Sequence, residues 1–199
     1  MTVPAARLVT HDDIDGYKLS TMTDAALVRG VLAGDPFAFG ALMDRHSGVC
    51  LRYALRVLGN REDAEDVTQE TFVRAYGALG RYDGSVALRT WLMTILVNRC
   101  RTALALRSKR EARIVIDIDV VMSAAGPGAN NGDALRDSLA NAIARLDPAH
   151  REAFVLKHVE ELSYEEISLV TGVGISALKM RVQRAREKLQ SWLEEDRNA

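Results

Sequence analysis

The stretch S-Y-E-E-I-S-L-V-T-G-V-G-I-S-A-L-K-M-R-V-Q-R-A-R-E-K, residues 163–188, decides the fold of the second half of the chain. Ser163 and Glu166 have the spacing of a capping box, which predicts that a short helix begins there. The tetrapeptide T-G-V-G that follows predicts a tight turn, because glycine tolerates left-handed backbone. Apolar residues then recur at steps of three and four, which predicts a final amphipathic helix. Together these features predict a helix-turn-helix.

The two faces of the final helix differ in chemistry. The inner face carries Ile175, Leu178 and Val182, which we expect to pack on the preceding helix. The outer face carries mainly polar and basic side chains, at Ser176, Lys179, Met180, Gln183, Arg184 and Arg186. In a helix-turn-helix the start of the second helix enters the major groove, where Arg, Lys and Gln read base edges. DNA binding is therefore expected, and a helical hairpin used only for packing is the alternative.

The rest of the chain also has helical patterns. Asp35-Pro36 predicts a helix that stops at Gly59, and Asn60 predicts the cap of a helix that runs to about Leu79. Further helices are expected from about residue 86 to 106, after residue 133 and after Pro148. Most large aromatic side chains on these helices are expected to lie in the core or to be partly buried: Phe72, Tyr76, Trp91 and Trp192. No segment of useful length alternates at period two, apart from a short β-branched run at 114–121. The fold class is all-α.

Glycine, proline and asparagine divide these helices into two groups. The 199 residues suit one domain or two small ones. The residues between the groups include S-A-A-G-P-G-A-N-N-G, a composition typical of a flexible linker. We therefore expect two small helical domains joined by a linker, with these bounds: a flexible arm at 1–22, a first domain at 23–113, the linker at 114–132 and a second domain at 133–199.

The charge of the chain is balanced in total and segregated in sequence. Its 26 Lys and Arg residues against 27 Asp and Glu residues give a net charge of −1, which by itself argues against nucleic acid as a partner. Residues 61–70, however, hold five acidic residues and one basic residue. Residues 99–113 hold six basic residues and one acidic residue, and residues 176–188 hold five and one. Such basic helices suit contact with phosphates, although a solvated helix face would have the same composition.

Several classes of protein are not expected. Cys50 and Cys100 are too few for a disulfide framework, no zinc-ligand spacing occurs, and both cysteines are expected to be small buried residues. No arrangement of catalytic residues or phosphate-binding loop is present, so neither an enzyme nor a metal or cofactor is predicted. No apolar stretch reaches ~18 residues, and the N-terminus is acidic where a signal peptide would be basic. A cytoplasmic protein without membrane insertion is therefore expected.

Four motifs along the chain carry a family resemblance. They are D-A-E-D-V-T-Q-E-T-F-V-R-A-Y (63–76), T-W-L-M-T-I-L-V-N-R-C-R (90–101), R-L-D-P-A-H-R-E-A-F-V-L-K-H-V-E (145–160), and the segment 162–189 that contains the helix-turn-helix. In this order they resemble the core-docking, −10-reading and −35-reading segments of extracytoplasmic-function (group 4) sigma factors of RNA polymerase. The resemblance implies that the first domain is similar to sigma domain 2 and the second to sigma domain 4. Glu161 departs from the pattern, because glycine is common there.

The resemblance implies three sets of site residues. Docking on core polymerase would use the acidic segment, at Asp63, Glu65, Asp66, Gln69 and Glu70. Melting and reading of the −10 DNA, with a flipped base held by the loop at 80–85, would use Arg81, Tyr82, Asp83, Ser85, Arg89, Asn98, Arg99 and Arg101. Recognition of the −35 duplex would use Ser176, Lys179, Met180, Arg181, Gln183, Arg184 and Arg186.

The partners implied are core RNA polymerase, promoter DNA that is duplex at −35 and single-stranded at −10, and an anti-sigma factor. One alternative is a helix-turn-helix regulator that binds duplex DNA without polymerase. Another is a helical adaptor whose basic faces bind acidic partners. The acidic segment at 63–70 favours the first reading over a free-standing regulator, which has no use for a polymerase-docking surface. The acidic segment also has a local explanation, because acidic residues at the start of a helix interact favourably with the helix dipole.

Overall fold

The computed structural model describes residue 19, residues 21–114 and residues 134–198. Most of the predicted arm (1–22) and of the predicted linker (114–132) lies outside these residues, as does the β-branched run beyond Ile114. Within the described ranges all regular structure is helical, which confirms the all-α prediction. The helices are α1 (Asp24–Leu32), α2 (Ala38–Leu58), α3 (Arg61–Ala78), α4 (Leu88–Ile114), α5 (Ala134–Arg145), α6 (Pro148–His158), α7 (Tyr164–Thr171) and α8 (Ile175–Asn198), with a short 3-10 turn at Leu79–Arg81.

Local sequence signals set several helix ends as predicted. Gly59 ends α2 in the left-handed conformation, with φ of 70°. The Asn60 side chain then accepts a hydrogen bond of 3.2 Å from the backbone N–H of Asp63 and caps α3. Asp147 caps α6 in the same way, with Pro148 in the first helical position.

Other helix ends differ from the predictions. Asp35 accepts a hydrogen bond from the backbone N–H of Phe37, so it caps a turn, and α2 begins only at Ala38. The next long helix, α4, begins at Leu88, because Tyr82 donates a hydrogen bond to the carbonyl of Val86 and holds the preceding residues as a loop. It runs on to Ile114, since neither glycine nor proline occurs between residues 85 and 125. Helix α1 was not singled out by the sequence patterns.

The helices form two units that pack against each other. The first unit is defined as α1–α4 and the second as α5–α8. Helix α4 lies against α7, and α2 lies against α5 and α6. The buried apolar side chains of both units form one contiguous cluster, in which Tyr53 of α2 and Leu156 of α6 are fully buried. The two units therefore share a core in this structure.

The aromatic side chains follow the prediction with one exception. Phe72 is buried, and Trp91 and Trp192 are partly buried against the core. The prediction for Tyr76 is wrong, because this residue is 60% exposed. The buried face of α3 and its 3-10 extension is formed by Phe72, Ala75 and Leu79. Tyr76 follows Ala75 and lies at the edge of this face, where its ring contacts Phe39 edge-on.

Both cysteines are buried, as expected. Cys50 and Cys100 are free thiols in the shared core. Burial, assisted by Glu160 for the first and by Glu152 for the second, raises the pKa of each to about 12. Very little reactive thiolate is therefore present at neutral pH.

Two features of the described residues concern membranes and metal ions. Among these residues, no helix is long and apolar enough to cross a membrane. The same part of the chain holds no group of three or more His, Cys, Asp or Glu side chains placed to bind a metal ion.

The turn between α6 and α7 holds a strained residue. Glu161 has φ of 57°, the left-handed region that costs a side-chain-bearing residue about 1–2 kcal/mol. Its side chain is exposed. We expect Glu161→Gly to raise the free energy of unfolding by about 0.5–1 kcal/mol, because relief of the strain outweighs the added freedom of the unfolded chain. Urea denaturation followed by circular dichroism measures this change.

The matched control is Glu165→Gly, at an exposed position with helical backbone in the first turn of α7. This substitution is expected to lower the free energy of unfolding by about 1 kcal/mol. Equal destabilisation by both substitutions would contradict the assignment of strain to Glu161.

Candidate functional site

Hydrogen bonds at both ends of α7 build the helix-turn-helix. The Ser163 hydroxyl accepts from the backbone N–H of Glu166 at 3.1 Å, and the Glu166 carboxylate accepts from that of Ser163 at 2.8 Å. This is the predicted capping box. Gly172 ends the helix with φ of 70°, and α8 begins three residues later. The side chains of Ile167 and Leu178 are buried in the core. The direction of α8 is therefore set by a capped helix, a glycine turn and an apolar contact.

The predicted −35 set lies on the outer face of α8. Six of its seven side chains are exposed to solvent, at Ser176, Lys179, Met180, Gln183, Arg184 and Arg186. Arg181 is half-buried at the edge of this face. Gln183 donates a 3.0 Å hydrogen bond to Glu187 on the same helix, and the ammonium group of Lys179 lies 5.7 Å from the ring centroid of Tyr164. This surface is polar, largely basic and one helix wide, as entry into the major groove requires.

Burial and two nearby cations act on a histidine beside α8. Partial burial and the positive charges of Arg186 and Lys157 lower the pKa of His158. A lowered histidine pKa means that the cationic form is disfavoured there. An anionic ligand such as a phosphate would be attracted to the same region.

The predicted polymerase-docking set lies along α3. Glu65, Asp66 and Gln69 are exposed, and Asp63 and Glu70 are half-buried. Glu70 pairs with Arg74 on its own helix at 2.9 Å and with Arg99 of α4 at 2.6 Å. Hydrogen bonds from Arg74 and Arg99 lower the pKa of Glu70. This carboxylate is therefore already engaged within the first unit.

The face of α3 that carries the exposed acids continues into exposed apolar residues. Val73 is 66% exposed and Tyr76 is 60% exposed. They follow Asp66, Gln69 and Glu70 at helical spacing. Neither residue stands in the predicted docking set, although the same three-and-four step from Asp66 reaches them. The docking surface is defined here as Asp63, Glu65, Asp66, Gln69, Glu70, Val73 and Tyr76.

The loop between α3 and α4 is ordered by its own polar groups. The Asp83 carboxylate accepts from the backbone N–H of Ser85 at 2.9 Å, and this contact lowers its pKa. Tyr82 donates a hydrogen bond of 2.8 Å to the carbonyl of Val86, and its ring centroid lies 5.3 Å from that of Trp91. Tyr82 and Asp83 thus shape the loop, while Arg81 and Ser85 face solvent.

The four α4 members of the predicted −10 set have three different environments. Asn98 is exposed, and Arg99 is held by Glu70. Arg89 and Arg101, in contrast, both contact the second unit. The structure therefore does not gather the four α4 side chains on a single face, and two of them lie in the contact with the second unit.

Two family models match the chain. The model described as "Sigma-70 region 2" matches residues 42–110, and "Sigma-70, region 4" matches residues 136–189. The first match contains the whole docking surface, the loop and much of α4. The second contains the helix-turn-helix.

Individual proteins give the same result. The RNA polymerase sigma factor NccH of Alcaligenes xylosoxydans is 33% identical over 177 residues, which cover 86% of this chain and 95% of NccH. The ECF RNA polymerase sigma-E factor of Haemophilus influenzae is 29% identical, with 85% and 95% covered. Among solved structures, the sigma factor RpoE in complex with the anti-sigma factor NepR from Bartonella quintana superimposes with a TM-score of 0.65 at 27% identity, and covers 79% of this chain and 98% of RpoE.

These matches agree in order, length and fold with the two helical units. They extend over nearly the whole length of the relatives, so the likeness is not confined to one shared module. The chain belongs to the sigma-70 family of RNA polymerase sigma factors, in the extracytoplasmic-function group.

Proposed function

We propose that the chain is an alternative sigma factor that binds core RNA polymerase and directs promoter-specific initiation through the surfaces described above. The observation that carries this proposal is the presence in one chain of a basic helix-turn-helix face and the acidic, partly apolar docking surface on α3. A free-standing DNA-binding regulator needs only the first of these. In this proposal the chain recognises the promoter in the cytoplasm, and the polymerase carries out the catalytic chemistry.

In this proposal α8 reads the −35 duplex. Lys179 and Gln183 lie on the exposed face in the first half of the helix, where side chains reach base edges. Arg184 and Arg186 follow them and are suited to hold phosphates. The half-buried Arg181 lies at the rim of the contact.

The docking surface on α3 binds the polymerase core by two physical effects. Its carboxylates steer the approach of a basic partner and set its orientation, which changes the association rate more than the affinity. Tyr76 and Val73 supply exposed apolar area that becomes buried on binding. An aromatic anchor surrounded by polar groups is typical of residues that dominate the binding energy of an interface.

The −10 strand is held by the loop and by α4. Arg81, Ser85 and Asn98 are exposed and offer donors to phosphates and unpaired bases. The ordered loop at 80–85 supports capture of a flipped base, because a loop that is already ordered loses little conformational freedom on binding.

An anti-sigma factor is proposed as the further partner. The similar RpoE of Bartonella quintana is in complex with one. In the second unit of the present chain, Leu139, Phe154 and Leu193 help to line an open groove of about 640 Å³ between α5, α6 and α8. An amphipathic helix of such a partner would fit this groove by its apolar face.

Transcription in vitro tests the function. Core polymerase, a pool of genomic fragments and the full chain are combined, and transcript 5′ ends are mapped. We expect starts that depend on the chain and share upstream sequence elements, with core polymerase alone as the control. Binding of the chain to duplex DNA without any change in the starts made by core polymerase would favour the regulator alternative.

Arg184→Ala tests the reading of α8. The probe is a DNA duplex selected from a random pool by binding to the holoenzyme. The affinity of the holoenzyme for this duplex is measured at several salt concentrations. We expect weaker binding and a log-log salt slope reduced by about 0.9, since one phosphate contact is lost. Lys179→Ala is expected to weaken the selected duplex more than a scrambled one.

Arg29→Ala is the matched control, because Arg29 is an exposed arginine on α1, away from the proposed DNA face. It removes the same charge and should leave the salt slope unchanged. An equal reduction in Arg29→Ala and Arg184→Ala would show that net charge alone is responsible.

Tyr76→Ala tests the docking surface. We expect about a tenfold loss of affinity for core polymerase, in the range of a buried aromatic anchor, and little loss for Tyr76→Phe, which keeps the ring. Asp66→Asn should weaken binding about two- to fivefold and only at low salt, as expected for an exposed charge. Fluorescence anisotropy of the labelled chain measures both.

Glu195→Gln on α8 is the control for the loss of an exposed carboxylate. Unchanged affinity in Tyr76→Ala would remove the apolar part of the docking surface from the proposal.

A further inference from the structure

The distal end of α4, defined here as residues 105–110, extends beyond the core. The sequence predicts an end near residue 106, whereas the helix continues to Ile114. Every side chain at 105–110 is exposed to solvent, although Val97 and Cys100 just before it are buried. A helical segment that is exposed on all sides gains no stability from burial. Packing within the chain therefore does not account for the charges that this segment carries.

The charges of the distal end differ in their environment from those nearer the middle of the helix. Arg99 and Arg101 form ion pairs with carboxylates of α3 and α6. Among the side chains that the structure describes, none forms an ion pair with Lys109 or Arg110. The distal end therefore presents positive charge that the described part of the chain does not neutralise.

The helix dipole is the local explanation for basic residues near the end of a helix. Its effect is confined to the last turn, where cations interact favourably with the free carbonyl groups. The last turn of α4 consists of residues 111–114, and Lys109 and Arg110 precede it. The dipole therefore does not account for these two charges.

An exposed stripe joins the distal end to the surface proposed for the −10 strand. Its members are Asn98, Thr102, Leu106 and Lys109, which are all exposed. They follow one another at steps of four, four and three residues, so they lie on one side of α4. At a rise of about 1.5 Å per residue, Lys109 lies about 16 Å along the helix from Asn98. This distance equals the length of about five base pairs of duplex DNA.

We propose that Lys109 and Arg110, at the distal end of α4, bind backbone phosphates of the duplex DNA that adjoins the −10 strand. The strand itself is held by the loop and the nearer part of α4, so a contact this far along the helix falls on paired DNA. Contacts to phosphates position the DNA and do not read its sequence. The location on the promoter rests on the proposed function. The phosphate contact itself does not require polymerase and is tested separately.

Binding of the full chain to a labelled duplex of scrambled sequence tests the phosphate contact. In Lys109→Gln/Arg110→Gln, both charges are removed at exposed positions, and glutamine keeps a high helix propensity. We expect the log-log slope of affinity against salt concentration to decrease by about 1.8, since two contacts worth about 0.9 each are lost. Fluorescence anisotropy at several salt concentrations measures the slope.

Two variants serve as matched controls. Arg29→Gln/Arg52→Gln removes two exposed arginines from α1 and α2, and Lys109→Arg/Arg110→Lys keeps both charges in place. Both are expected to have the slope of the wild type. An equal decrease in Arg29→Gln/Arg52→Gln would assign the effect to net charge and overturn the proposal. An unchanged slope in Lys109→Gln/Arg110→Gln, or absence of any duplex binding by the wild-type chain at low salt, would also overturn it.

Hydroxyl-radical footprinting locates the contact on a promoter found in the transcription experiment, with core polymerase present. The wild-type chain should protect the DNA backbone within about five base pairs of the −10 element, and Lys109→Gln/Arg110→Gln should lose this protection and keep that at −35. The same footprint in both, or a loss at −35 alone, would overturn the assignment to the adjoining duplex. If no start depends on the chain, the proposed function fails, and the salt slope still decides whether the phosphate contact exists.

Discussion

The guanidinium of Arg101 links α4 of the first unit to both α6 and α7 of the second unit. It holds Glu152 of α6 by two hydrogen bonds and the carbonyl of Thr171 by a third. Thr171 is the last residue of α7, directly before the Gly172 turn that sets the direction of α8. One side chain of the first unit thereby fixes the base of the helix-turn-helix. Because Glu152 and Thr171 are largely removed from water, this contact satisfies acceptors whose burial without a partner would cost free energy.

The two proposed binding surfaces carry charges of opposite sign, and the fold explains why the net charge of the chain does not reveal them. The acidic segment of α3 faces solvent beside exposed apolar residues, while the basic residues of α8 face solvent on the opposite unit. Three arginines of α4, namely Arg89, Arg99 and Arg101, are neutralised internally by acids of α3 and of the second unit. A near-neutral sum thus combines two exposed surfaces of opposite sign with a set of internal pairs.

Much of this structure could be predicted from the sequence because its signals are local. Capping residues such as Asn60 and Ser163 act within one helical turn, and the outer face of α8 follows from a period of 3.6 residues. For Tyr76 the local patterns conflict, because its apolar ring suggests the core and its step from Asp66 suggests the exposed face. Which of the two holds depends on which flank of α3 meets α2. The pairing of Arg89 and Arg101 with the second unit depends on tertiary packing, which no local pattern specifies. Both residues were predicted to belong to the −10 set, and their partners in the second unit could be found only from the structure.

The contact between Arg99 and Glu70 has a thermodynamic consequence. Glu70 belongs to the surface proposed for polymerase, and Arg99 to the surface proposed for DNA, yet at 2.6 Å each neutralises the other. A partner that takes up Glu70 leaves the positive charge of Arg99 without this carboxylate, and a strand that takes up Arg99 leaves Glu70 with Arg74 as its remaining partner. If the two proposed ligands engage these groups, linkage requires that each raises the affinity for the other by the same factor.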